Sequence, residues 1–374
     1  MTSAGADAAV RPPKAGTRAN GAPRTLASEF DPRNNSLNAL RLVLASLVIV
    51  SHAWPIGGFG PDPTIGGVGL GGWAVAGFFG ISGFLIAGSR QRSSAAGFLW
   101  RRFLRIFPGL WTCLIVTALA FAPLAAAVEG GSQHLSAAAL ARYVAANGLL
   151  LHGEDSIAGT LAGAPYAQGW NGSLWTLFYE FGCYLILGAM FVLPFVKRKP
   201  IPWVALLLAT SILVTVAATE LHSDLPARVK LGAYLGTYFF AGALLFLCAS
   251  HVRVHALQAA AALVVLALAS WTGHVEAVAA VPLAFLVLWL GITLPLQRVG
   301  RRNDISYGVY IYAFPIQQLL VLGGAEHLGV AAFVVLGIAA TLPLAVASWF
   351  VVERPAIALK RFSPRRLQAV RTAA

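Results

Sequence analysis

Arg41 and His52 stand eleven residues apart in the first long apolar stretch of the chain, Leu37 to Trp54. At about 100° per residue, eleven helical steps return to within ~20° of the starting direction and rise roughly 16 Å. A helix there would carry a guanidinium and an imidazole on one stripe, near opposite ends. In a bilayer such groups are expensive unless they face protein or a water-filled cavity, so they mark a functional site by default. Imidazole can take a proton from a hydroxyl near neutral pH, the chemistry of a general base. Of the 14 Asp and Glu residues, only Glu180 falls well inside an apolar stretch, about 10 Å of helical rise beyond Ser173. A carboxylate beside His52 would fix its tautomer and raise its basicity. The plainer alternative is that each residue hydrogen-bonds a neighbouring helix and only holds a bundle together.

A second group of residues suits anions. Arg101, Arg102 and Arg105 lie in the string Phe98-Leu-Trp-Arg-Arg-Phe-Leu-Arg-Ile-Phe-Pro108. Arginines at i and i+3 of a helix present two guanidinium groups on one face, a geometry suited to phosphate oxygens. The competing reading is ordinary positive charge at a helix end. The other histidines, at 134, 152, 222, 251, 255, 274 and 327, fall in loops or at segment ends and form no HExxH spacing, so no metal site is expected. Cys113, Cys183 and Cys248 all fall inside apolar stretches and offer neither a disulfide framework nor a metal spacing. Gly67-Val-Gly-Leu-Gly-Gly72 formally fits GxGxxG but follows no strand and reads as a flexible loop. Asn171-Gly-Ser173 matches a glycosylation sequon at the start of a helix, too common a match to carry weight.

The elements that must position these residues are transmembrane helices. Hydrophobic residues make up 58% of the 374 residues and charged ones 11%, a balance that no soluble domain of this size needs. Apolar stretches long enough to cross ~30 Å are read at about 37–54, 73–89, 109–128, 173–196, 202–220, 231–249, 256–273, 278–297, 305–323 and 330–352. The expected fold is an all-α, polytopic bundle of about ten helices. Threaded alternately with the amino terminus inside, the chain leaves only Arg142, Arg228 and Lys230 of its 27 Lys and Arg outside, with Arg41 in the first span. Both termini are therefore assigned to the cytoplasm by the positive-inside rule. The net charge of +13 is explained by this topology and not by nucleic-acid binding, because the basic residues sit at helix ends without exposed aromatic residues between them. Residues 1–36 read as a disordered cytoplasmic tail without the apolar core of a signal peptide. The span 37–356 reads as the transmembrane domain, and 357–374 as a basic cytoplasmic tail. The stretch 135–151 is apolar and alanine-rich, and suits either the membrane interface or a dip into the bilayer.

Read in order, several strings resemble the integral-membrane acyltransferase type 3 family, from about residue 34 to 356. They are Asn35-Ser-Leu-Asn-Ala-Leu-Arg41 with His52; Phe78-Phe-Gly-Ile-Ser-Gly-Phe-Leu-Ile86; Arg102-Phe-Leu-Arg105; Ser173-Leu-Trp-Thr-Leu-Phe-Tyr-Glu180; Ile305-Ser-Tyr-Gly-Val-Tyr-Ile-Tyr312; and Val352-Glu-Arg-Pro355. The resemblance implies a multi-pass protein of the bacterial inner membrane that uses acyl-CoA, most often acetyl-CoA, to O-acylate a carbohydrate. His52 would be the catalytic histidine, Arg41 its partner in R-x10-H, Arg102 and Arg105 the cytoplasmic RxxR pair, and Glu180 an acidic residue of the site. Many relatives read Tyr-His-Phe-Pro where this chain has Tyr312-Ala-Phe-Pro315, so a function tied to that histidine does not transfer. No fused SGNH-type domain is expected, so the transmembrane unit would act alone or with separate glycan-synthesis proteins.

These expectations combine into a scheme that crosses the bilayer. Arg102 and Arg105, aided by Arg101, would hold the CoA phosphates on the inside while the pantetheine arm rises beside Arg41 to bring the thioester to His52. Ser82 and the backbone around Gly83 are conceivable oxyanion donors, although Ser-Gly in a helix also permits close packing. The alternative from another class is a proton-coupled transporter or flippase of a glycan or lipid-linked intermediate, with His52 and Glu180 as the proton relay. A scaffold for glycan synthesis is a third reading.

Overall fold

The computed structural model describes residues 23–130, 135–151, 153–220 and 224–362. Helices dominate. In chain order they are α1 (Leu26–Glu29), α2 (Leu37–Ile56), α3 (Leu70–Gln91), α4 (Ala95–Val116), α5 (Ala122–Val128), α6 (Ala137–Asn147), α7 (Trp175–Met190) and α8 (Pro194–Arg198). There follow α9 (Pro200–Glu220), α10 (Ala227–Leu247), α11 (Ala256–Thr272), α12 (Val275–Val278), α13 (Ala280–Thr293), α14 (Ser306–Leu322), α15 (Val330–Ser348) and α16 (Arg354–Ala358). Each of the ten apolar stretches corresponds to a helix. Among the described residues, six helical segments are long and apolar enough to cross a membrane by length and composition, while α7, α11 and α13 are shorter. The chain is an all-α polytopic bundle.

Burial separates centre from rim. The most apolar window of α3 is 67% buried inside the protein, whereas that of α9 is 17% buried. The large side chains that α9, α11 and α15 leave exposed, among them Leu213, Leu263 and Val335, form the surface that lipid would cover. At the centre, α3 crosses α10 at backbone contact. A Cβ at Gly83 would lie 1.8 Å from the Phe239 carbonyl oxygen, and one at Gly242 would lie 2.0 Å from that of Gly80. Small residues permit this approach where lipid supplies no hydrophobic drive between helices, so packing is what Gly83 provides.

Three sequence expectations change here. Residues 23–36 are not a disordered tail throughout: Leu26 is buried, and the amides of Leu26 and Ala27 donate to the carbonyls of Val252 and Ala249 beyond the end of α10. Residues 1–22 and 363–374 of the two expected tails lie outside the described residues, as do His134, His152 and His222. Helix α4 begins at Ala95, where the Ser94 hydroxyl accepts from the Gly97 amide, and not near 109. The three arginines therefore sit inside a membrane-length helix, which continues through a π-helical turn at Thr117–Phe121 into α5. The glycine-rich stretch is not all loop. Thr64–Ile65 (β1) pairs antiparallel with Val68–Gly69 (β2) around Gly66 and Gly67, whose φ of 59° and 79° suit a tight two-residue hairpin turn, and α3 starts at Leu70.

Local contacts then fix the site. At the amino-terminal end of α2, the inner end by the positive-inside rule, the Ser36 hydroxyl donates to the Leu294 carbonyl and Asn38 donates to that of Gly300, which holds the α13–α14 connection against α2. Higher up, Gln317 of α14 donates to the Ile49 carbonyl of α2 at 2.9 Å. On the outer side, Gln318 donates to the carbonyls of Tyr166 and Gly169, tying the loop before α7 to α14.

Candidate active site

The inner end of the bundle holds a closed set of ion pairs. Asp304, just before α14, accepts from Arg41 at 2.5 Å and from Arg105 at 2.6 Å, both through Oδ2. Ser306 donates its hydroxyl to the other oxygen at 2.6 Å. Arg105 also lies 3.8 Å from Glu353, a buried residue of the π-helical turn after α15, to which Ser348 donates. Burial by itself would raise the Asp304 carboxyl, but Arg105, Arg41 and the Ser306 hydrogen bonds outweigh it and hold the group well below the usual carboxylate range. Arg41 and Arg105 thus meet on one carboxylate that connects α2, α4 and α14.

Arg102 behaves differently although it stands only three residues from Arg105. Its guanidinium lies 5.9 Å from the ring centre of Tyr184 and 6.0 Å from that of Phe98. Its Nε is buried without a hydrogen-bond partner, and no ion pair forms at Arg102 or Arg101 among the described residues. The Tyr184 hydroxyl donates to Oε1 of Glu180, and Ser82 donates to the same oxygen at 2.8 Å. Thr176, Glu180 and Tyr184 occupy i, i+4 and i+8 of α7, one stripe of roughly 12 Å. It leads from Arg102 to the outer cavity.

That cavity, about 130 Å³, contains His52. Ser51, Ser173, Thr176, Tyr234 and Tyr310 contribute its polar lining, together with Asp62 from the loop before the hairpin. The Tyr310 hydroxyl donates to the Ser173 carbonyl at 2.8 Å and pairs with the Thr176 hydroxyl, which fixes α7 against α14. The His52 ring meets Phe314 edge-on with centroids 5.2 Å apart, and its Nδ1 is shut off from solvent with no hydrogen-bond partner. Ala313, beside Phe314, is buried and brings no titratable group.

The expected approach of Glu180 to His52 is not present. Gly71 of α3 lies against Ser51, level with the histidine, whereas Ser82, the partner of Glu180, is eleven residues further along α3, roughly 16 Å lower. On α7, Glu180 is one turn below the cavity-lining Thr176. Two helices thus place the carboxylate beneath the cavity, where it accepts from Ser82 and Tyr184. Ser82 correspondingly points its hydroxyl at Glu180 and not at an acyl oxygen. Asn171 of the sequon is buried, donating to Tyr143 at 2.5 Å and to Thr117.

Residues 34–350 match the family model for acyltransferase 3, an acyltransferase domain. The chain belongs to the acyltransferase 3 family. Among its relatives is an O-acetyl transferase of Shigella phage Sf6, 31% identical over 347 residues that cover 89% of this chain and 98% of the relative. Nodulation protein 10 of Rhizobium leguminosarum bv. viciae is 30% identical over 358 residues, with 87% and 94% covered. No solved structure matches the chain. This acyltransferase therefore brings Arg41 and Arg105 together at the inner end, leaves Arg102 unpaired nearby, and places His52 in an outer cavity.

Asp304 and Asp62 of the acyltransferase escaped the sequence reading, and Glu353 stood in the Val352-Glu-Arg-Pro355 string without a role. Asp304 and Glu353 fall just beyond the ends of the apolar stretches, so a search for acids inside spans passed them by. A buried Arg41 needs an anion, and that demand was the available signal.

Proposed function

We propose that the chain is an integral-membrane O-acyltransferase that moves an acyl group, acetyl in the first instance, from cytosolic acyl-CoA to a hydroxyl of a cell-envelope or secreted carbohydrate. The membrane is the bacterial inner membrane. One observation carries the reading: in a member of an acyltransferase family, His52 lines an outer cavity, and its buried Nδ1 has no hydrogen-bond partner among the described residues. The printed name of the phage relative, an O-acetyl transferase, supports acetyl as the group and oxygen as its acceptor.

On the inner side the unpaired Arg102, with Arg101 beside it, receives the phosphates of CoA, since a buried guanidinium without an anion is costly and phosphate oxygens satisfy it. Arg105 contributes indirectly, because Asp304 and Glu353 already hold it. The pantetheine arm follows the Thr176–Glu180–Tyr184 stripe toward the cavity. There His52 takes the proton of the acceptor hydroxyl as that oxygen bonds to the thioester carbonyl carbon. The carbon–sulfur bond then breaks, and the proton passes from the imidazolium to the leaving thiolate, giving CoA-SH and neutral His52. Direct transfer needs a base only at the moment of attack, because the hydroxyl pKa lies far above neutral pH.

The test uses the full chain in liposomes with radiolabelled acetyl-CoA inside and de-O-acetylated envelope glycan outside. Wild type should label the glycan, and His52→Ala should lose at least about a thousandfold in rate at unchanged membrane abundance. Retained labelling in His52→Ala would remove the histidine from the chemistry. Movement of glycan across the bilayer without acetyl-CoA would favour a transporter instead.

A further inference from the structure

Asp62, which lines the cavity beside His52, has a buried polar atom that the acyl-transfer scheme does not use. Asp62 comes from the loop between α2 and the hairpin, and its Oδ1 is closed to solvent with no hydrogen-bond partner. Its other oxygen rests against the backbone at Gly69: a Cβ there would stand 2.1 Å from Oδ2 and force the carboxylate to move. The hairpin holds this arrangement, with Thr64 paired to Gly69 and the Leu70 amide donating to the Pro63 carbonyl at 3.0 Å. The remaining polar lining consists of neutral hydroxyls, Trp175 and His52, and among the described residues no Lys or Arg lines the cavity.

A carboxylate oxygen closed off from water and without a donor is unfavourable until something supplies one. A sugar carries several hydroxyls, so one can react at His52 while another donates to Asp62. An acceptor bearing its own carboxylate or phosphate would meet Asp62 at short range with no Lys or Arg in the lining to offset the repulsion, and the partly buried setting screens that repulsion less than open water does.

We infer that Asp62 is an acceptor-binding residue that receives a sugar hydroxyl and restricts the cavity to neutral or amino sugars, excluding uronates and phosphorylated sugars. This rests on the reading that the outer cavity is the acceptor site of an O-acyltransferase. Asp62 touches the acceptor and plays no part in holding CoA.

The probe is a pool of neutral oligosaccharides made by partial hydrolysis and de-O-acetylation of the envelope glycan. Its counterpart is the same pool oxidised at the primary hydroxyls to uronates and used as a competitor. In reconstituted wild type, the neutral pool should be acetylated and the oxidised pool should inhibit weakly. Asp62→Asn should raise the KM for the neutral pool about tenfold, leave the KM for acetyl-CoA unchanged, and bind the oxidised competitor about tenfold more tightly. Gly69→Ala keeps the carboxylate but displaces it, and should raise the neutral-pool KM likewise. This second variant guards against misfolding of the first. An unchanged neutral-pool KM and unchanged competitor strength in both variants would overturn the assignment. A fall in kcat alone would do so too, by making Asp62 a positioning residue for His52. Wild type that acetylates neither pool would instead sink the acyl-transfer reading on which the inference stands.

Discussion

Asp304 and His52 mark two polar regions at opposite ends of α2, and they are built on opposite terms. Around Asp304, two guanidinium groups and two carboxylates form a network of ion pairs, with Ser306 and Ser348 donating to the carboxylates and Glu353 Oε2 held by Arg105 at ion-pair but not hydrogen-bond distance. Around His52, a ring nitrogen and a carboxylate oxygen of Asp62 are closed off from water and have no partner. Ion-paired buried groups fasten helices together, while unpartnered ones in a cavity wait for a ligand. The R-x10-H spacing therefore joins two surroundings: Arg41 locks the ends of α2, α4 and α14 around Asp304, and His52 lines the cavity in which the proposed transfer takes place. The stripe that leads toward the cytosol runs on α7 instead.

Removing the centre of the lock is the strongest way to break this contrast. Asp304→Ala leaves Arg41 and Arg105 buried without their shared anion, and losing one partner of a buried ion pair costs about 3–5 kcal/mol. The variant should show a marked fall in melting temperature in detergent and reduced membrane abundance. His52→Ala, which breaks no ion pair and loses only the edge-on contact with Phe314, should melt much closer to wild type. Equal stability of Asp304→Ala and wild type would mean that the inner cluster does not fasten the bundle.

The helices were largely legible because each apolar stretch must satisfy its own backbone in lipid, and that demand shows in composition. The starts of α3 and α4 were misplaced because the glycines at 71 and 72 and the arginine string look unlike membrane sequence, yet α3 starts at Leu70 directly after the hairpin and α4 at the Ser94 cap. Arg41 and His52 were found as ionisable residues in an apolar stretch. Their partners were not, because Asp304 lies 263 residues from Arg41 along the chain and Asp62 sits in a loop with no motif. The Thr176–Glu180–Tyr184 stripe had a readable i, i+4, i+8 spacing, but two of its members are uncharged and drew no notice.

Within the arginine string the same contrast gives a smaller, sharper effect. Arg102 has no ion pair and Arg105 has two, so equivalent substitutions should have different consequences. Arg102→Gln should weaken CoA binding about tenfold, the size of a lost charge-assisted hydrogen bond, at unchanged melting temperature. Arg105→Gln should lower the melting temperature by disturbing Asp304 and Glu353. Isothermal titration of the purified protein with CoA, run beside thermal melts, separates the two. If Arg102→Gln leaves CoA affinity intact, its charge belongs only to the topology of the chain.

The smallest effect expected is a flat line. Asp304 is held below the ordinary carboxylate range by Arg105 and Arg41, so its contribution to stability is complete above its unfolded value near pH 4 and is lost as pH falls toward the depressed folded value. The part of the stability difference between wild type and Asp304→Ala that Asp304 itself carries should then stay constant from about pH 5 to 8 and shrink only below about pH 4. A difference that already declines between pH 7 and pH 5 would mean that another group supports the lock, since an ion-paired Asp304 binds no proton in that interval.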